Sequence, residues 1–245
     1  NLRESLNWLV RFDPSLRRTY QHAERIYVTS DQTQQLIPKK FWHKIAPPGL
    51  AIGQQFTHQA LVKSLPTGQP IKLLFIGRFI YWKGGDLVIR VFADLKTKWP
   101  DLQLTMVGEG PKKSFWQALA KQLGVHQDVE WCDWLPQQKL VDIYQQHHLF
   151  LFPSLHDSGG MVVLEALSHA MPVVCLKLGG PGIMVNSTCG AAVNVQNSVE
   201  QTVLALSDQT SQLLGHPSQF IECSQHAIER ARLFSWKGLA ERVYS

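Results

Sequence analysis

LFLFPSLHDSGGMVVLEALSHAMPVVCLKLGGPGIMV, residues 149–185, decides how this chain folds. Two unbroken apolar runs, LFLF and PVVCL, flank a segment in which apolar residues recur three and four apart, which is the pattern of strand, helix, strand. Between the first strand and the helix lies His156-Asp157-Ser158-Gly159-Gly160. This turn sets a carboxylate and two glycines against the helix start, where backbone N–H groups lack intrahelical partners. Glu165 follows within the first two turns of the helix. Two carboxylates flanking a glycine pair can both face a ligand whose anionic part rests on the helix end.

Working outward from this unit, the chain after Pro70 alternates apolar strands with amphipathic helices: IKLLFIG, GDLVIRVFADLKTKW, LQLTMVG, PKKSFWQALAKQLG, VEWCDW, PQQKLVDIYQQH, and after the central unit CGAAVNV with further helices. Such alternation predicts βαβ units, hence an α/β fold with a Rossmann-like parallel sheet and helices on both faces. Pro111 at a helix start, Gly124 at its end and a capping-box signal at Asn197-Ser198-Val199-Glu200 agree with it. In such sheets ligands bind beyond the carboxyl ends of the strands. The loops after Ile76, Val107, Trp134, Phe152 and Leu178 are therefore where a site is expected.

The loop Gly77-Arg78-Phe79-Ile80-Tyr81-Trp82-Lys83-Gly84-Gly85 places a guanidinium and an ammonium between glycines at a strand end, a combination suited to a diphosphate. Gly108-Glu109-Gly110-Pro111 lacks the third glycine of a dinucleotide fingerprint, since Lys113 stands there, and reads as a tight turn with close backbone approach to a ligand. At Asp133-Trp134-Leu135-Pro136 two readings stay open, a wall for a planar base and a core tryptophan. Leu178-Gly179-Gly180-Pro181-Gly182 reads either as a second helix N-terminus serving the same anion or as a simple turn. Asp157 can likewise be a plain helix N-cap.

Before Pro70 the segments are short. LRESLNWLVRF is helical, a second helical stretch runs from Pro14 through Ala23, RIYVTS is strand-like, Thr29-Ser30-Asp31 signals a helix start, and KIAPPGL is an apolar run broken by prolines. Residues 50–70, with Gly53, Pro66, Gly68 and Pro70, read as a loop or linker.

The 245 residues are 44% hydrophobic and 18% charged, as in a globular protein, and no apolar run reaches the roughly 18 residues of a membrane span. The N-terminus carries charges where a signal peptide needs an apolar centre, so a cytoplasmic location is expected, with peripheral contact at the inner face of a membrane left open. Four separated cysteines form no C-x-x-C pair and read as buried reduced thiols. A net charge of +5 permits anionic partners, yet no basic run exceeds a pair and the eight tryptophans are scattered, so nucleic acid is not expected. P-loop, α/β-hydrolase and zincin motifs are absent, as is any D-x-D pair for a divalent metal on a diphosphate. No cofactor or metal is expected; Arg78, Lys83 and helix N-termini take the anion's charge. His147-His148, at a helix end, is expected to be solvent-exposed rather than metal-binding.

Taken together, GRFIYWKGG after a first strand, VGEGP after a second, FPSLHDSGGMVVLEALSHAMPVV and the following GGPG resemble the C-terminal donor-binding domain of family 4 retaining glycosyltransferases of the GT-B fold. The match covers residues 71 to about 195, and FSWKGLAERV resembles the family's C-terminal helix. In the family's E-x7-E motif Asp157 stands at the first position, a carboxylate shorter by one methylene, and Glu165 at the second. The resemblance implies that residues 70–245 bind a nucleoside diphosphate sugar, while residues 1–69 are a remnant of an N-terminal acceptor domain plus linker. It implies metal-independent transfer of the sugar to an acceptor hydroxyl with retention, in polysaccharide or glycolipid synthesis, the glycan or lipid acceptor being held by the other domain and the fragment inactive alone. Arg78, Lys83, Asp157 and Glu165 are the implied catalytic set. Gly77, Gly108, Trp134, Leu135, His156, Ser158, Gly159, Gly160 and Met161 are the implied donor contacts. Two alternatives stand beside this reading: a non-catalytic nucleotide-sugar-binding module, and a GT-B-like nucleotide-sugar epimerase with His156 as its acid/base candidate.

Overall fold

The computed structural model describes residues 13–28, 31–46 and 60–244. The expected helix LRESLNWLVRF, the Thr29-Ser30 part of the helix-start signal, the two prolines of KIAPPGL and Gly53 lie outside the described residues. The chain divides into two compact units, residues 1–50 and residues 51–245.

In the first unit, helix α1 (Pro14–His22) starts where the Asp13 carboxylate accepts from the Ser15 N–H at 2.8 Å. Its C-terminal region is closed by Lys44, whose Nζ donates to the carbonyls of Tyr20, Gln21 and Ala23. Strands β1 (Ile26–Tyr27) and β2 (Ile45–Ala46), drawn from RIYVTS and KIAPPGL, pair in parallel, with the short helix α2 (Asp31–Gln35) between them in sequence. Val28, Ile37 and Phe41 form a small core under Tyr20, Ile26, Trp42 and Ile45.

The second unit carries β3 (Lys72–Ile76), α3 (Gly85–Lys96), β4 (Gln103–Val107), α4 (Lys113–Gln122), β5 (Val129–Cys132), α5 (Gln137–Gln146), β6 (Leu149–Phe152), α6 (Met161–Ser168), β7 (Val173–Leu176), α7 (Gly179–Met184), β8 (Gly190–Val193), α8 (Val199–Gly215), α9 (Pro217–Arg232) and α10 (Trp236–Tyr244). Residues 60–70 contain neither helix nor strand. All six strands are parallel, in the order β5-β4-β3-β6-β7-β8. Helices cover both faces, α3 packing on α4 and α8 and α9 on α6, so β6 and β7 are buried along their whole length. That double burial is why these strands read as unbroken apolar runs rather than alternating ones.

The strand order locates the site. From β3 the chain steps outward to β4 and β5, and from β6 it steps the other way to β7 and β8, so the loops leaving the adjacent carboxyl ends of β3 and β6 diverge and open a crevice. Beneath it lies an aromatic cluster: Phe75 stacks on Phe152 at 5.9 Å between centroids, and Phe79 sits 4.9 Å from Trp116 and 5.9 Å from Trp131. Phe79 is fully buried and anchors the loop after β3, a contribution of about 1.5–3 kcal/mol for a side chain of this kind. Its N–H donates to Glu109 O at 2.7 Å and its carbonyl accepts from Lys112 N–H, tying the loops after β3 and β4 together.

Helix α8 begins at Ser198, whose hydroxyl accepts from Gln201 N–H, so the cap is the serine. Gly124 follows α4 at φ +74°, where glycine carries no steric penalty.

Candidate functional site

The crevice holds a cleft of about 990 Å³ floored by Ile76, Val107 and Phe152 at the ends of the three strands. Of the residues singled out from the sequence, Gly77, Arg78, Lys83, Gly108, Trp134, Leu135, Asp157, Gly159, Gly160, Met161 and Glu165 all line it. They come from four loops and two helices spread over nearly ninety positions of sequence, and the parallel sheet brings them to one edge. His156 and Ser158 are exposed, and neither lines the cleft. The carbonyl of Ser158 lies instead against Gly180.

Backbone sterics explain the glycines at the floor. Gly108 has φ +139°, and a Cβ there falls 2.0 Å from the carbonyl oxygen of Gly77, so no side chain can separate the two strand ends. Gly160, the N-cap of α6, has φ +57° and packs against the Pro181 ring.

The charges are arranged differently from a simple row of cations. Lys83, on the one-turn helix Tyr81–Lys83, forms an ion pair with Asp157 Oδ2 and stands 5.5 Å above the Phe152 ring. The other oxygen of Asp157 accepts from Gly160 N–H at 2.7 Å. Asp157 therefore closes its own loop and is not the N-cap of α6, and the Gly160 N–H is directed to the carboxylate rather than to an anionic ligand. The first-turn N–H groups beyond it, at Met161 and Val162, belong to residues that face the cleft and have no intrahelical acceptor. Arg78 is exposed at the cleft edge and has no carboxylate partner among the described residues.

Glu165, one turn into α6, is mostly buried, and burial pushes its carboxyl pKa above the ordinary carboxylate value. The hydroxyl of Tyr144 donates to Glu165 Oε2 at 3.0 Å, which favours the ionised form and works against that rise. Tyr144 itself is fully buried, with its hydroxyl pKa raised by burial and by the neighbouring carboxylate.

The geometry settles two open readings, places the cap of α8 and corrects one expectation. Trp134 is 70% exposed and is a wall of the cleft, not a core tryptophan; its backbone N–H donates to the Glu109 carboxylate at 3.3 Å. The turn at Gly179-Gly180 does not line the cleft: Gly180 N–H donates to Asp157 O, and a Cβ at Gly179 falls 2.2 Å from that same oxygen, so the turn braces the Asp157 loop from behind. Within the capping signal at residues 197–200 the cap is Ser198, whose hydroxyl accepts from Gln201 N–H and also bonds the Glu200 carboxylate. His147-His148 is not solvent-exposed. His147 is buried between the Ile143 carbonyl and the Thr105 hydroxyl, and His148 accepts from Lys72 N–H at 2.9 Å with its pKa pushed down to about 4, chiefly by burial.

Residues that the sequence did not mark also shape the cleft: Phe79 as anchor, Phe152 and Leu140 as apolar wall, Glu109 beside Trp134, and Tyr144 behind Glu165. Phe152 was visible only as the last residue of an apolar run, and Tyr144 only as one apolar position of a helix. Among the described residues no cluster of three or more His, Cys, Asp or Glu side chains can hold a metal ion, and no helix is long and apolar enough to cross a membrane. Cys175, Cys189 and Cys223 are buried free thiols, and Cys132 is half-buried.

The profile of the family described as "Glycosyl transferases group 1" matches residues 58–222. The D-inositol 3-phosphate glycosyltransferase of Corynebacterium aurimucosum is 31% identical over 181 residues, 70% of this chain and 42% of that protein. The enzyme of the same description from Nocardia farcinica is 28% identical over 211 residues, 80% of this chain and 45% of that protein. The chain thus spans less than half the length of these curated relatives. Among solved structures, a glycosyltransferase from Rickettsia africae superposes with a TM-score of 0.75 at 15% identity, covering 95% of this chain and 66% of that one. The pneumococcal O-GlcNAc transferase GtfA, solved with UDP and GlcNAc, gives 0.71 at 16% identity, covering 91% and 44%. At these identities the likeness is one of fold.

Proposed function

The chain belongs to the glycosyl transferases group 1 family, and from that premise we propose that residues 70–245 bind the nucleoside diphosphate sugar of a family 4, GT-B, retaining transferase. The observation that carries the reading is the convergence, on one cleft at the strand-order reversal, of an exposed guanidinium, a helix N-terminus and a mostly buried carboxylate.

As the bond between the anomeric carbon and the diphosphate breaks, negative charge gathers on the leaving phosphate. Donors already aimed at that position stabilise the transition state more than the ground state. Arg78 supplies a fork that grips two oxygens, the first turn of α6 supplies N–H groups and the positive end of the helix, and Lys83 supplies a point charge held in place by Asp157 and the Phe152 ring. These groups meet the diphosphate charge without a metal ion. Glu165 accepts from ribose hydroxyls. Asp157 uses two of its roughly four acceptor positions on Lys83 and Gly160, leaving the others for sugar hydroxyls. Trp134 and Leu135 flank the base. The acceptor hydroxyl, of a glycan or lipid, attacks the anomeric carbon on the face the diphosphate leaves, and its proton passes to the departing phosphate oxygen; with no acceptor held in place the isolated chain is expected to transfer negligible sugar. We assign the reaction to the cytoplasmic side, with peripheral membrane contact for a lipid acceptor.

His156, the acid/base candidate of the epimerase reading, is exposed and does not line the cleft. The test is incubation of the protein joined to its acceptor side with labelled donor, with and without glycan or lipid acceptors. A glycoside with the donor's anomeric configuration is the expected product. Inverted product, isomerised donor, or binding without either reaction overturns the proposal.

A further inference from the structure

Tyr144 is buried on α5, twenty-one positions before Glu165, and the transfer chemistry proposed for the cleft does not use it. Its hydroxyl donates to Glu165 Oε2 at 3.0 Å, while its ring stacks on His169 with 4.8 Å between centroids and 18° between planes. His169 is in turn fixed to the same helix as Glu165, with Nδ1 2.8 Å from the Glu165 carbonyl. Tyr144 is thus held by both ends against the one helix that carries the cleft's mostly buried carboxylate. The same helix α5 presents Gln137 and Leu140 to the cleft from its first turn, directly after Trp134 and Leu135. One rigid helix therefore bears a wall of the cleft at its start and a grip on Glu165 near its end.

We infer that Tyr144 is a positioning residue of the nucleotide site: its hydroxyl holds the Glu165 carboxylate aimed at the cleft, and links that carboxylate to the wall formed at the start of α5. The inference rests on the donor-binding reading above for the identity of the ligand, and on this geometry alone for the grip on Glu165. The carboxyl is mostly buried, so without a donor it reverts to the neutral form more readily and loses the acceptor strength that ribose hydroxyls require. The charged groups that share the cleft with it are Arg78 and Lys83 on the loop after β3, Glu109 on the loop after β4 and Asp157 on the loop after β6, while Tyr144 on α5 bonds it and His169 caps the end of its own helix. Lys83 is already paired with Asp157, and burial lowers the pKa of His169. Tyr144 is the group with a direct hydrogen bond to the carboxylate.

Two measurements on the 245-residue chain test this. In the ligand-free protein the Glu165 carboxyl is titrated by 13C NMR in wild type and in Tyr144→Phe, which keeps the stacked ring and removes only the hydroxyl. The midpoint is expected to move to higher pH in the variant, and replacing Tyr144 with 3-fluorotyrosine, a stronger donor, is expected to move it lower. The fluorinated chain also serves if Tyr144→Phe fails to fold. Binding of UDP, GDP and ADP is then measured by calorimetry across the acid and neutral range. Tyr144→Phe is expected to weaken the preferred nucleotide about tenfold, with the acid limb of the profile displaced upward, and to have no further effect in a Glu165→Gln background. An unmoved Glu165 midpoint overturns the inference whatever the nucleotides do, and so does an equal loss in both backgrounds. A moved midpoint with no nucleotide bound by wild type leaves the grip on Glu165 standing and sinks the donor reading.

Discussion

Replacing Glu165 with glutamine should make the protein bind worse and fold better at the same time. The carboxylate is mostly buried and its pKa is raised by that burial, so at neutral pH the native state bears the cost of an ionised group out of water. Glutamine has the same shape, still accepts from the Tyr144 hydroxyl, and carries no charge. The variant therefore gains stability at pH 7, read as a higher Tm. The sign follows from linkage. Folding raises the carboxyl's pKa above its ordinary value of 4.5, so between those two values the native state binds more protons than the unfolded one, and wild-type stability falls as pH rises through that window. Glu165→Gln lacks this slope. Its Tm advantage is therefore absent below the ordinary value, opens as pH rises, and is complete above the raised one. Affinity moves the other way, because a hydrogen bond to a charged acceptor contributes about 1.5–3 kcal/mol and one to a neutral acceptor about 0.5–1.5, a difference of roughly tenfold in Kd for the nucleotide. Differential scanning calorimetry from about pH 4 to 8, paired with isothermal titration, reads both. A variant less stable than wild type at neutral pH, or one with unchanged nucleotide affinity, refutes the reasoning.

Further substitutions separate the roles of the cleft's parts. Gly108→Ala forces a Cβ to 2.0 Å from the Gly77 carbonyl and should destabilise the unit by about 3 kcal/mol or more, seen as a lower urea midpoint; an unchanged midpoint contradicts the strand-end packing. Arg78→Ala, at an exposed position, should leave Tm within about 1 °C of wild type and weaken nucleoside diphosphate binding about tenfold, with a smaller loss for the bare nucleoside. Trp134→Ala should be neutral to stability within about 0.5 kcal/mol yet cost about 1–3 kcal/mol of base stacking, and wild-type tryptophan fluorescence should change on nucleotide addition. His148, with its pKa pushed down to about 4 from the ordinary 6.5, is neutral in the native state while the unfolded chain takes up a proton, so stability should fall as pH drops through that window. His148→Asn should flatten that fall, as read by thermal melts across the same range.

How far the sequence discloses the structure depends on whether a feature is local. β6 and β7 are legible because strands covered on both faces must be apolar at every position, and the helices are legible because one stripe faces the sheet. The glycines of the floor are legible because close backbone approach admits nothing larger, as at Gly108. What stays hidden are contacts between side chains far apart in the chain. Lys83 and Asp157 are separated by 74 positions, and their pairing joins two independent candidates in one ion pair. Tyr144 meets Glu165 only because α5 and α6 flank β6. The turn at Gly179-Gly180 has the composition of an anion-binding loop, and only the nearness of Asp157 O gives it the work of a brace. The histidine pair fails for the same reason: a helix end is usually exposed, but this one is followed at once by the buried strand β6, and the turn between them is buried with it.

The central claim is that the cleft between the β3 and β6 loops binds a nucleoside diphosphate with no help from a metal. It is tested most directly by calorimetric titration of the 245-residue chain with UDP-, GDP- and ADP-sugars, each in EDTA and again with excess Mg2+. The account predicts saturable one-to-one binding of one nucleotide class, with the same affinity in both buffers and the loss of that binding in Arg78→Ala. No binding by any of the three, or binding that appears only with Mg2+, would contradict it.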